Sequence, residues 1–355
     1  MRLAVDVMGG DHAPDAILAG CFRALDPASG AIPEGGRLVL VGDESAILDV
    51  AREQGVDPST FDLVPTTEVI AMGESPAKAV RSKADSSIVR SARMGSHKSA
   101  GSPEFVDAIL SAGNTGACVS AAIMHLKRLP GVHRPGIAVT IPGFNGPVVM
   151  CDAGANPEPQ PTHLWQYGVM AEAYARTVLH IDQPRVAVMN IGAEEGKGTD
   201  LIQRSRDLIA ATPGINFTGF IEGREFFDGG ADVVVTDGFV GNAVLKMAEG
   251  LARSLFGAIA QAIFAEDPEL ALRLEPAIKA LYSKSDYEEL GGAPLLGVNG
   301  TYIIAHGSSK AKTISASIRN GFEYLRLGLN DVLQNRISEV EAAIDADVLR
   351  ESVRA

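Results

Sequence analysis

Residues able to hold an anion and move a proton recur in this chain where apolar runs end. Asn190-Ile-Gly-Ala-Glu-Glu-Gly-Lys-Gly-Thr199 follows one such run and sets Lys197 between Gly196 and Gly198. A lysine between two glycines at a helix entrance has no packing role, and beside backbone amides it would meet an anion. Asp237-Gly-Phe-Val-Gly-Asn242 stands before the longest helical pattern, with Asp237, Gly241 and Asn242 as candidate ligand contacts. Asn242 equally suits an N-cap. His306-Gly-Ser-Ser309 ends another run. Histidine exchanges a proton near neutral pH, so His306, with Ser308 and Ser309 behind it, is a candidate for proton transfer.

Three further turns share the pattern. Gly9, Gly10 and Asp11 follow the first apolar run, Asn114, Thr115 and Gly116 follow another, and Cys151-Asp152-Ala-Gly-Ala-Asn156 ends a third. Amides at a helix start bind anions, and glycine lets a ligand approach them closely. Asn114 and Thr115 would hold phosphate or a carbonyl oxygen, or simply cap a helix. Asp152 would orient a base or bind a cation, or cap the turn that contains Asn156. The repetition predicts anion-binding loops collected along one edge of a sheet.

Several chemistries lack their residues. The 190–199 loop is not a nucleotide P-loop, because its first glycine lies one residue too close and Gly198 replaces the Ser or Thr after the lysine. There is no Gly-x-Ser-x-Gly, His-Glu-x-x-His, Cys-x-x-Cys or Gly-x-Gly-x-x-Gly. Cys21, Cys118 and Cys151 are too scattered for a disulfide framework or a zinc site, and Cys151 sits in an apolar strand end that suits a core. No metal and no cofactor are expected. Anion binding by Lys, His and Asn, without a covalent nucleophile, suits transfer of a group onto phosphate.

The elements that must position these residues alternate. Val- and Ile-rich runs predict strands at 3–8, 37–42, 61–65, 107–112, 136–142, 147–152, 185–191, 216–221, 232–236 and 301–305. Helical patterns fall at 15–26, 44–53, 76–94, 116–128, 162–179, 199–211, 242–265, 268–284, 309–326 and 329–348. Such alternation predicts an α/β fold with a mostly parallel sheet. At 355 residues, 46% hydrophobic and 21% charged, the chain can bury a large core. Its net charge of −13 argues against nucleic acid as a partner. The cysteine usage points to a cytoplasmic setting, and neither a signal peptide nor a membrane-spanning run is visible.

Taken together, these segments resemble the PlsX family, the acyl-acyl-carrier-protein:phosphate acyltransferases of phospholipid synthesis. The matching stretches are Ala4-Val-Asp-Val-Met-Gly-Gly-Asp-His-Ala-Pro14, Arg81-Ser-Lys-Ala-Asp-Ser-Ser87, Ser111-Ala-Gly-Asn-Thr-Gly-Ala117 and Asp152-Ala-Gly-Ala-Asn156. They continue through Asn190–Gly198, Asp232–Asn242, Gly291–Gly297 and Ala305–Ser309. The resemblance implies a homodimeric three-layer α/β/α fold akin to isocitrate dehydrogenase and phosphotransacetylase. It implies conversion of a long-chain acyl-carrier-protein thioester and inorganic phosphate to acyl phosphate, which a glycerol-3-phosphate acyltransferase then consumes. It makes Lys197, Asn242 and His306 the catalytic candidates.

Within a single catalytic unit over 1–349 with interwoven lobes, the pair of patterns at 243–284 stands out. Twelve uncharged residues separate Arg253 from Glu266, too few to span a bilayer. Such a pair suits a buried helix, a dimer interface or contact with a membrane surface, and the resemblance strengthens the membrane reading. An acidic carrier needs a basic spot on this acidic chain. Lys78, Arg81 and Lys83 offer one candidate, and Lys127, Arg128 and Arg134 another. The competing readings are a phosphotransacylase using acyl-coenzyme A, a metal-dependent decarboxylating dehydrogenase of the same broad fold, and a non-enzymatic scaffold at the membrane surface.

Overall fold

Leu3, Val5 and Val7 pack into one hydrophobic core while Ala4 packs into another, and Leu38 and Leu40 part in the same way from Val39 and Val41. Alternate side chains of a strand face opposite sides, so strands that are apolar at every position need cover on both faces. The computed structural model describes residues 1–143, 145–285 and 290–343. The last residues of the predicted 329–348 helix and of the predicted 1–349 unit lie outside this range.

The strands are β1 (Arg2–Asp6), β2 (Arg37–Gly42), β3 (Asp62–Pro65), β4 (Ala108–Ser111), β5 (Gly136–Gly143), β6 (Gly146–Cys151), β7 (Arg185–Met189), β8 (Asn216–Ile221), β9 (Val233–Val235), β10 (Ala293–Leu296) and β11 (Thr301–Ile304). They form one sheet in the order β3-β2-β1-β4-β11-β10-β5-β6-β9-β7-β8. On one face lie α1 (Asp15–Leu25), α2 (Glu44–Glu53), α6 (Pro161–Val178), α7 (Asp200–Ala210), α10 (Ala311–Arg326) and α11 (Leu329–Ala343). On the other lie α3 (Pro76–Ser82), α4 (Ser87–Met94), α5 (Thr115–His125) and the base of α8 (Gly238–Glu266). The architecture is the expected three-layer α/β/α fold with a mostly parallel sheet.

The expectation of loops along one edge does not hold. β1, β2, β3, β4 and β11 are mutually parallel, and β6, β9, β7 and β8 are mutually parallel. Between the two sets, β10 is antiparallel to both β11 and β5, and β5 is antiparallel to β6, so the halves run in opposite directions. β10 also changes partner part-way: Ala293 and Pro294 pair with β11, Leu295 and Leu296 with β5. The halves are therefore offset. Following the register across β10 and β5 places Ile304, the last residue of β11, within about one residue's rise of Cys151, the last of β6. Loops from both halves begin at one level beside this joint and leave it in opposite directions.

β10 has no counterpart among the predicted strands. Four residues containing Pro294, flanked by Gly292 and Gly297, carry the pattern of a turn. The predicted helix 76–94 is two helices, because the chain breaks at Lys83–Ser86 and Ser86 restarts it. α8 begins at Gly238 rather than at 242 and runs for 29 residues, about 44 Å at the usual rise. With α9 (Pro268–Ser285) it leaves large apolar side chains in solvent, among them Met247, Leu251, Leu255, Phe264 and Leu272. Among the described residues no helix is long and apolar enough to cross a membrane.

Candidate active site

Two buried aspartates at strand ends hold the candidate loops. Asp6, last in β1, is fully buried. Its Oδ2 accepts a 2.6 Å hydrogen bond from Ser111 Oγ, and its Oδ1 accepts from the Met8 N–H at 3.1 Å. Burial pushes the Asp6 carboxyl up, against the pull of bonds from Ser111, Ser87 and the Met8 and Gly9 amides. Ser111 Oγ in turn accepts from the Gly113 N–H at 3.1 Å. A side chain at Gly9 would put its Cβ 2.7 Å from Gly113 N, so the two turns touch only because Gly9 has none. The Asp11 N–H donates to the Gly307 carbonyl at 2.7 Å.

The ends of β1, β4 and β11 thus bring Gly9, Gly10 and Asp11 beside Asn114, Thr115 and Gly116 and beside His306–Ser309. His306 is exposed, with Nδ1 2.7 Å from Ser308 Oγ. Ser309 is buried and its hydroxyl oxygen has no hydrogen-bond partner among the described residues. Asn114 is committed: Oδ1 accepts from the Ala117 N–H, capping α5, while Nδ2 donates to the carbonyls of Ala71, Met72 and Glu74. It shapes the loop, and its amide is taken up by these bonds.

Asp152, just past β6, repeats the plan in the other half-sheet. Oδ1 accepts from the N–H groups of Ile137, Gly154 and Ala155, and Oδ2 from that of Asn156 at 2.7 Å. Burial raises this carboxyl too, with the four amides opposing. Asn156 donates to the Pro135 carbonyl and to Tyr167 Oη at 2.7 and 2.6 Å. The start of α8 lies directly on this turn: the Gly238 N–H donates to the Asn156 carbonyl at 2.8 Å, and a Cβ at Gly241 would collide with the Asp152 carbonyl oxygen.

The cap of α8 is Asp237, whose Oδ1 accepts from the N–H groups of Phe239 and Val240 at 2.9 and 2.8 Å. Asn242, a candidate for that position, instead lies one turn inside the helix, and its side chain faces Gly154, which sits at φ +136°. An amide spared from capping stands over a turn that no side chain crowds.

Lys197 lies on the loop between β7 and α7 and is exposed. The loop is shaped from below by Asn190, whose Nδ2 donates to the carbonyls of Gly192 and Lys197 at 3.1 and 3.0 Å. Gly198 takes φ +96° against the Asn190 side chain, and Gly196 has open space around it. Lys197 and Asn242 therefore follow strands of one half-sheet, and His306 a strand of the other. Asp6, Ser111 and Tyr167 escape the sequence argument. An acid inside the otherwise apolar run Leu3–Val7 is the signal that finds Asp6. Cys151 is fully buried, and burial pushes its thiol well up. Among the described residues no group of three His, Cys, Asp or Glu converges to hold a metal ion.

Known proteins resemble this chain in sequence and in fold. The model of the fatty acid synthesis protein family matches residues 1–331. A phosphate acyltransferase of Desulfitobacterium hafniense is 42% identical over 346 residues, covering 97% of this chain and 99% of that protein. One from Dictyoglomus turgidum is 38% identical over 343 residues, 96% of this chain and 98% of that one. Among solved structures, a phosphotransacetylase from Streptococcus pyogenes superimposes with a TM-score of 0.59 at 16% identity, covering 92% of this chain and 94% of its own. The EutD phosphotransacetylase from Staphylococcus aureus does so at 0.56 and 15%, covering 94% of each. These two show the fold.

Proposed function

The chain belongs to the fatty acid synthesis protein family and is a phosphate acyltransferase, and from that premise we propose that it moves a long-chain acyl group from an acyl-carrier-protein thioester to inorganic phosphate. The product is an acyl phosphate for phospholipid synthesis. The observation that carries the assignment of roles is the start of α8. Asp237 caps the helix and leaves the Asn242 amide over the open Gly154 turn, in the half-sheet that also carries Lys197.

In this reading Lys197, with the backbone amides around Gly196 and Gly198, binds phosphate and offsets its charge. A dianionic phosphate oxygen attacks the thioester carbonyl carbon without a strong base. Asn242 donates to the oxyanion of the tetrahedral intermediate, a contribution commonly worth about 10²–10³ in rate. The carbon–sulfur bond breaks, and the proton carried by the attacking phosphate ends on the departing thiol. His306, held at Nδ1 by Ser308, either orients phosphate or passes that proton to sulfur. The two sets of loops meet the substrate over the β10–β5 joint. The described chain acts as one catalytic unit with the α8–α9 pair attached, and the apolar side chains of that pair serve a second copy of the chain, a membrane surface, or both. Work at the cytoplasmic face of the membrane would hand acyl phosphate to a glycerol-3-phosphate acyltransferase.

The test is acyl phosphate formation from palmitoyl-carrier protein and phosphate, comparing wild type with Lys197→Ala. Turnover that collapses in a folded variant, with a raised KM for phosphate, supports the reading. The phosphotransacetylase-like fold favours one second reading, transfer from acyl-coenzyme A. Turnover with acyl-coenzyme A and none with the carrier thioester would select it, and inactivity with both would leave a scaffold.

A further inference from the structure

The chain is strongly acidic, yet no Asp or Glu stands between Asp107 and Asp152, the stretch that holds Lys127, Arg128 and Arg134. The fold adds basic groups from other elements to these three, and one acid, Glu341, whose carboxylate lies against Gly131. The Arg128 guanidinium donates to the His133 carbonyl, and the His133 ring meets the His163 ring edge-on at 6.2 Å. Arg128 and Arg134 both lie close enough to His163 to disfavour its protonation. Lys127 and Arg93, on α4, act on the His125 end of α5 in the same way. Arg93, Lys127, Arg128, His133 and Arg134 are all exposed.

The rival basic patch is weaker. Lys83 is tied to Glu74 at 2.5 Å and to the Val69 carbonyl at 2.7 Å, which leaves Lys78 and Arg81. The Lys127–Arg134 turn is built without drawing on two of its cations. Lys127 takes φ +73°, and its carbonyl accepts from the Asn299 N–H at 3.0 Å. Arg134 immediately precedes Pro135, whose carbonyl anchors Asn156 in the Asp152 turn beneath Asn242. The patch therefore borders the loops assigned to the thioester.

We propose that this basic face, centred on Lys127, Arg128 and Arg134, is the docking surface for the acidic protein carrier that delivers the acyl thioester. The assignment rests on the carrier-dependent reading above. A lipid surface would be met by cations mixed with exposed apolar side chains, and the large exposed apolar residues of this chain concentrate on α8 and α9 instead. Nucleic acid is disfavoured by the net charge of −13. A compact cationic face on an acidic protein fits a small acidic partner, because it steers that partner to one site and repels it elsewhere.

The full-length protein is assayed with palmitoyl-carrier protein and with palmitoyl-pantetheine, a thioester without the carrier, in wild type and in the double variant Lys127→Glu/Arg134→Glu. The expected result is a KM for the carrier thioester raised about tenfold or more, with kcat little changed and pantetheine kinetics intact. In wild type the same KM rises between about 0.05 and 0.3 M salt, a measurement that needs no variant. An unchanged carrier KM in the folded variant, an equal loss with both donors, or a salt-independent KM overturns the docking surface alone. Lost binding to anionic vesicles with the carrier KM intact assigns the patch to lipid and also overturns it. Wild-type turnover of the pantetheine thioester with none of the carrier thioester overturns the reading on which the surface rests.

Discussion

Asp6 and Ser111, 105 residues apart, are joined by a fully buried 2.6 Å hydrogen bond from the serine hydroxyl to the carboxylate. The bond links the ends of two adjacent parallel strands, and Ser111 passes it on to the Gly113 amide, so one carboxylate sets the relative height of two candidate loops. Ser111→Ala should leave that carboxylate short of a donor and cost about 1–3 kcal/mol of stability. Denaturant unfolding measures the loss. A variant as stable as wild type would mean that the bond positions nothing.

Asp237 caps α8 and Asn242 lies five residues on, so variants at the two positions separate capping from the proposed catalytic role. Asp237→Ala should destabilise by about 0.5–2 kcal/mol, the usual value of a lost N-cap. Asn242→Ala should leave the melting temperature nearly unchanged and lower kcat by about 10²–10³. Parallel melting curves and steady-state rates for the two variants decide it. The reverse pattern would make Asn242 a structural residue.

Gly241→Ala should place a methyl group against the Asp152 carbonyl oxygen and lift α8 from the turn that holds Asn156. A misplacement of about 1 Å can cost about 100-fold in rate, so activity should fall at least that far in a protein that still folds. Retained activity would show that the contact between helix and turn is unimportant for turnover.

His163 predicts a pH dependence. Burial first, then the charges of His133, Arg134 and Arg128, bring its pKa down to about 4, and Nδ1 accepts from the Gln160 N–H at 3.0 Å, a bond that needs the unprotonated nitrogen. The unfolded chain binds this proton near the usual 6.5 and the folded chain only near 4. Between those values the unfolded state holds more protons, so the contribution of His163 to stability is present above the window and is lost as pH falls through it. His163→Gln should flatten the stability curve between about pH 6.5 and 4. An unaltered slope would assign the acid sensitivity to other groups.

The α8–α9 pair predicts an assembly effect. Replacing Leu255 and Leu272, 54% and 66% exposed, with Glu should change sedimentation or vesicle binding far more than thermal stability, because neither side chain is in the core. Unchanged sedimentation and vesicle binding would leave the exposed apolar surface without a partner.

Much of this architecture is written locally. Every predicted strand exists, the central ones because their Val- and Ile-rich runs need burial on both faces while the edge strands β3 and β8 are only partly buried, and glycine-rich turns after those runs could be located from spacing alone. The helix at 76–94 defeated the same reading because its break, Lys83 to Ser86, contains neither glycine nor proline, and Lys83 reaches away to Glu74. β10 was hidden by Pro294, which has no N–H to offer a ladder and yet pairs here through its neighbours.

The sequence by itself determined the residue types, the α/β class and the order of the loops, since these follow from side-chain period and turn chemistry within a few residues. Only the tertiary structure decided the direction of the two half-sheets, because that depends on how β10 and β5 pair across more than 150 residues of chain. The same long-range packing committed the Asn114 amide to the carbonyls of Ala71, Met72 and Glu74. It also set the charges of Arg93 and Lys127 beside His125 and those of Arg128 and Arg134 beside His163, a matter of distance in space and not of spacing along the chain.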